Sequence, residues 1–241
     1  KTTGTVTLEN AQTISGTGSE VTAALITDAV TLGAASSATV SGDITAEVAG
    51  NIANVTGITA TYSGTITDSL ANLAASGSIT TNFSRARGDD TGVDVVVNDA
   101  TGTLNAADIA AVTAKTTGTV TLENAQTISG SGADLIAALK TDAATLSAAS
   151  TANITSAVTA AVAAEIAAIT DITLDSSGSG TITDSLGNLL NVGQTAISTN
   201  FSNARAEDTD VNVVVNDSTG TLNAAKLSLI TAATAGTVTL S

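Results

Sequence analysis

The chain has 241 residues, with 22 acidic against 7 basic side chains for a formal charge of −15, and it contains no His, Cys, Met, Trp or Pro. Imidazole bases, thiol nucleophiles, zinc sites and haem ligation all need residue types that are missing, so no enzyme is expected. At 43% hydrophobic and 12% charged the chain is too apolar for a disordered acidic tail, and its charge balance argues against nucleic acid.

In chain order, residues 5–8 (Thr-Val-Thr-Leu) and 13–15 (Thr-Ile-Ser) alternate polar and aliphatic side chains, the period of a strand with one buried face. Ser19 followed by Glu20 puts an N-cap and an acid ahead of the Ala-rich residues 21–25, which predicts a helix. Ile44, Val48, Ile52 and Val55 recur at helical spacing, and Thr65-Ile66-Thr67 predicts the next strand. Residues 81–92 break the pattern and read as a protruding loop anchored by Phe83, ahead of a strand over 93–97. Asn105, with Asp108 in the first turn, opens a further helix over 105–112.

The pattern then repeats. Residues 1–16 (KTTGTVTLENAQTISG) return letter for letter at 115–130, Thr65–Leu70 returns at 181–186, and Asn82-Phe83-Ser84 returns at 200–202. The long repeats are 1–114 and 115–232. Thr-x-Ser/Thr triplets cut each into sub-units of about 26 residues, the fourth being about 36–38 because of the loops at 81–92 and 199–210. A sub-unit of one Ala-rich helix and two short strands cannot close a core alone, whereas stacked copies bury a continuous one. The prediction is an α/β solenoid, one continuous right-handed stack of about eight coils over 1–241, with corresponding strands paired in parallel. A core of Ala, Val, Ile and Leu, with only Tyr62, Phe83 and Phe201 aromatic, suits so thin a stack.

Two groups of residues are candidate sites. Asp89, Asp90 and Asp94, with Glu207, Asp208 and Asp210 in the second copy, gather carboxylates that could hold Ca²⁺, the one cofactor considered; the plainer reading is a solvated loop whose acids pair with Arg85, Arg87 and Arg205. The triplets supply Thr13, Thr39, Thr65, Thr67, Thr101, Thr103, Thr127, Thr181, Thr183, Thr219 and Thr221. Stacked, their hydroxyls would form files on one flat face, an arrangement similar to that of ice-binding solenoids. Thr is also simply well suited to an exposed strand.

The stretch Ile66-Thr67-Asp68-Ser69-Leu70-Ala71-Asn72-Leu73, with its copy at 182–189, resembles a motif of the very long repeat-rich surface proteins of cyanobacteria and other Gram-negative bacteria. That resemblance implies export to the cell surface or beyond, and a role as spacer, fibre or coat. The partners expected are neighbouring repeats of the same protein or end-to-end copies, with a surface glycan if the chain is instead a binding module. No apolar run reaches the roughly 20 residues of a membrane span.

Overall fold

The computed structural model describes residues 4–33, 35–142, 144–147, 150–175, 180–218 and 220–241. In chain order the first half holds β1 (Thr13–Thr17), α1 (Gly18–Thr22), β2 (Ser36–Ser41), α2 (Ala46–Ala53), β3 (Ile58–Tyr62), β4 (Thr65–Asp68), α3 (Leu70–Leu73), β5 (Ala74–Ala75), β6 (Ser78–Ile79), α4 (Thr81–Asp89), β7 (Asp94–Val97), β8 (Thr103–Asn105), α5 (Ala106–Thr113) and β9 (Val120–Leu122). The second half holds β10 (Thr127–Gly130), α6 (Gly132–Ile136), β11 (Ser150–Ile154), β12 (Ala157–Val158), α7 (Ala160–Ala167), β13 (Ile172–Asp175), β14 (Thr181–Asp184), α8 (Leu186–Leu189), α9 (Thr199–Glu207), β15 (Val213–Val215), α10 (Ala224–Thr231) and β16 (Val238–Leu240). A single π-helical turn follows α1 at Ala23–Thr27 and α6 at Ala137–Thr141.

The fold is mixed α/β, with its main sheets parallel. The chain divides into two compact units, one of residues 1–100 and 108–124, the other of 101–107 and 125–241. The first unit contains the sheets β1-β2-β3 and β4-β7-β9, together with the packed helices α1, α2 and α4. The second contains the sheets β8-β10-β11-β13 and β12-β14-β15-β16, with α6, α7 and α9 packed in the same way. Alternation along the strands drives this layering. Ala38 and Val40 of β2 are fully buried while Ser37 and Thr39 between them are half-buried, as a period of two requires.

Strand register differs from the expected 26-residue repeat. Thr13 lies opposite Ser37 and Ser37 opposite Thr59, steps of 24 and 22 residues, and the pairing does not resolve into eight equal coils. Aligning Thr39 with Thr13 by triplet is two residues out of step. A two-residue slip keeps every side chain on its own face, so the hydrophobic pattern cannot detect it.

Residues 81–92 and 199–210, expected as protruding loops, instead contain the helices α4 and α9. The Thr80 and Ser198 side chains cap them by accepting from the Phe83 and Phe201 amides, and Phe83/Ala86 and Phe201/Ala204 are the buried pairs of otherwise polar sequences. Two inward residues suffice because α4 packs closely on α2: a Cβ at Gly50 would stand 2.6 Å from the Asn82 Cα. A short antiparallel hairpin, β5–β6, precedes α4, and its turn places Ser76 and Gly77 at φ of 55° and 73°.

Candidate functional site

The acidic candidates of the first repeat are engaged with backbone. Asp89 Oδ2 accepts the Ala60 N–H at 2.9 Å and Asp90 Oδ2 the Tyr62 N–H at 2.9 Å. Both donors lie on β3, the last strand of its sheet, so the C-terminal end of α4 supplies carboxylates where a further strand would otherwise pair. Asp94 Oδ1 accepts from both the amide and the hydroxyl of Thr119, at 2.6 and 2.8 Å. Burial, reinforced by the charges of Asp89 and Asp90, pushes the Tyr62 hydroxyl far above its ordinary pKa, and this hydroxyl donates to the Ala49 carbonyl at 3.0 Å.

Asp90 Oδ1 also accepts the Gly92 N–H at 3.0 Å, and the second repeat keeps the corresponding bond. Glu207 is exposed, Asp208 is buried, and Asp208 Oδ1 accepts the Asp210 N–H at 3.3 Å. A hydrogen bond to the Asp208 carboxylate, then its charge, raises the Asp210 pKa from its ordinary value. Position 210 corresponds to Gly92 in the first copy, which has no second carboxylate there. Among the described residues no group of three or more acidic side chains is placed to hold a metal ion.

The motif that carried the resemblance has a structural use which sequence reasoning missed. Asp68 is 8% exposed; its Oδ2 accepts from Ala46 N, the first residue of α2, at 3.0 Å, and its Oδ1 accepts from Ser69 N at 2.9 Å and Asn72 Nδ2 at 2.7 Å. Asp184 repeats the set with Ala160 N, Ser185 N and Asn188 Nδ2. Beside each lies a polar cavity. The first, of about 300 Å³, is lined by Thr45, Glu47, Asp68, Asn72 and Asn82; the second, of about 240 Å³, by Thr159, Asp184, Asn188 and Asn200. Their hydroxyl, amide and carboxylate groups can bond polar ligands but present no nucleophile paired with a base.

The threonine candidates fall on different sheets. Thr13 and Thr39 lie on β1 and β2, Thr65 and Thr67 on β4, Thr103 and Thr127 on β8 and β10, and Thr181 and Thr183 on β14. Thr101 and Thr221 are exposed outside strands, and Thr219 lies outside the described residues. Register brings the triplet residues Thr103 and Thr127 together with two threonines the triplets did not mark, Thr151 and Thr173, opposite one another across the four strands of one sheet. In the first unit the corresponding file is Thr13, Ser37 and Thr59, with the Thr13 and Ser37 hydroxyls 3.0 Å apart. Spacings of 24 and 22 residues would have revealed these files; the 26-residue cut hid them.

No family model, no curated protein and no solved structure matches the chain. Among the described residues no helix is long and apolar enough to cross a membrane.

Proposed function

We propose that the chain is a structural section of a long extracellular repeat protein, a right-handed solenoid of stacked coils serving as spacer, fibre or surface coat. The observation that carries this reading is the use made of the acidic side chains. Asp43, Asp68, Asp89, Asp90, Asp94 and Asp99 each accept a backbone N–H lying 22–29 residues away, so polar groups are directed at the adjacent turn of chain. Parallel ladders with such cross-turn bonds make an element whose stability is a sum of neighbour terms and whose length grows by a fixed increment. Kinship with the repeat-rich surface proteins, and an exported location, rest on the Ile-Thr-Asp-Ser-Leu motif and the composition. Small-angle scattering on the chain and on a tandem duplicate tests the reading. The maximum dimension should grow linearly, by ~4.8 Å per added coil; growth as the cube root of mass would contradict it.

The four-threonine file favours one further reading, a face that binds ice or a surface glycan, with Ca²⁺ at the acidic segments of Asp89, Asp90 and Asp94 and of Glu207, Asp208 and Asp210 as its cofactor. Thermal hysteresis and a glycan array test the face, and a melting temperature that rises with Ca²⁺ and falls with chelator tests the ion. No response in any of the three rejects this reading and leaves the spacer.

A further inference from the structure

The two repeats keep the same polar cavity although the chain around it has changed. The hairpin letters Ala-Ala-Ser-Gly-Ser at 74–78 become Leu-Asn-Val-Gly-Gln at 190–194, the segment is two residues longer in the second copy, and Glu47 becomes Ala161. The lining residues Thr45, Asp68, Asn72 and Asn82 nevertheless return as Thr159, Asp184, Asn188 and Asn200, around cavities of about 300 Å³ and about 240 Å³.

Part of this set serves the fold and part does not. Asp68 and Asp184 are more than nine-tenths buried. A carboxylate offers about four lone-pair sites; here Oδ1 accepts two N–H groups and Oδ2 one, so among the described residues one acceptor site is left on Oδ2. The Thr45 and Thr159 hydroxyls accept from the Val48 and Val162 amides and keep a proton to donate. The side chains of Asn82 and Asn200 make no hydrogen bond among the described residues, so no bond within the fold accounts for their presence in both repeats. Each brings two donors and an acceptor to the cavity. The shared groups therefore mix donors with acceptors. They lack the all-oxygen shell of a cation site, because three N–H donors already engage the one carboxylate. A ligand whose adjacent atoms both donate and accept matches them, as vicinal hydroxyls do. Volumes near the lower end for small-molecule pockets admit one ring rather than a chain.

We propose that each repeat holds one saccharide ring in this cavity. One ring hydroxyl donates to Asp68 or Asp184, and its neighbour accepts from Asn82 or Asn200 and from Thr45 or Thr159. Water occupies a polar cavity of this size, and the sugar hydroxyls reproduce its bonds when they displace it. The site is separate from the threonine file and does not depend on the stacked-coil reading. Each site is weak by itself, and repetition along a chain gives such sites avidity for a polysaccharide surface.

Nitrogen-detected NMR titration of the full 241-residue chain tests the proposal, with the methyl α-glycosides of glucose, galactose, mannose and N-acetylglucosamine as probes. The side-chain NH₂ signals of Asn72 and Asn188 report the two sites, since each donates to its aspartate. At least one glycoside should shift both, with a Kd on the order of 1 mM. Asn82→Ala should weaken the response at Asn72 about tenfold and leave that at Asn188 as it was; Asn200→Ala should do the reverse. Ala71→Leu narrows the first cavity without removing a polar group and should act at Asn72 alone. In every variant the untouched site shows that the chain is folded. Four results overturn the proposal: no glycoside shifts either signal, the shifts fall on Thr103, Thr127, Thr151 and Thr173 instead, Ca²⁺ shifts both signals while the glycosides do not, or the variants bind as tightly as the native chain. None of them bears on the scattering test of the coil stack.

Discussion

Residues 4–16 and 118–130 share every letter and differ in their surroundings. In the second stretch Ile128 is fully buried, Gln126 is 3% exposed and Val120 4%; in the first, Ile14 is half-buried, Gln12 is exposed and Val6 is 44% exposed. Propensity and pattern are identical, so the difference comes wholly from the chain laid alongside, β7 for β9 and β8 for β10. In a fold of this kind a segment's burial belongs to its neighbours as much as to itself.

Truncating an aromatic residue has the largest expected effect and probes where the copies coincide. Phe83→Ala and Phe201→Ala each remove the largest fully buried side chain of their repeat, and each should cost about 3–5 kcal/mol in thermal or denaturant unfolding. A clear inequality between them would show that α4 and α9 are not equivalent anchors. The same-letter pair Ile128→Ala and Ile14→Ala breaks the comparison directly. The first should cost about 2–5 kcal/mol as a core cavity, the second under about 1 kcal/mol as a half-exposed truncation. Equal losses would mean that the first strand is covered in solution.

Asp68→Ala and Asp184→Ala come next. Each leaves the amide of Ala46 or Ala160 buried without its acceptor and releases an Asn side chain, for about 1–3 kcal/mol apiece. A neutral result at both positions would remove the cross-turn latch from the account.

The smallest effect concerns Asp210. Its pKa is raised in the folded chain, so the protonated form is favoured there; this contribution is present at low pH and is lost as pH rises through the folded pKa. Asp210→Asn should therefore melt slightly higher than the native chain at neutral pH, with the difference vanishing near about pH 3, below the ordinary Asp value. The first copy, with Gly92 at this place, has no carboxylate to titrate there.

Much of the layering was legible because alternation and helical spacing report burial directly. The helices at Ala46–Ala53 and Ala160–Ala167 follow from aliphatic residues three and four apart, and the letter-for-letter repeat announces that the same elements recur. Register was hidden, since a two-residue slip changes no face and so moved the expected Thr files off Thr151 and Thr173. α4 was hidden because its polar, Gly88-containing sequence shows only Phe83 and Ala86 to the core. The role of Asp89 and Asp90 was unreadable for a different reason: it depends on which amides of β3 face outward, and only the pairing of β2 with β3 decides that.

The most direct test of neighbour-determined burial is amide hydrogen exchange at Thr13 and Thr127. Identical flanking residues give the two amides the same intrinsic rate, so any difference in protection is structural. The account expects Thr127, bonded to Gly102, to be strongly protected and Thr13 to exchange near its intrinsic rate. Equal protection at the two sites would contradict it.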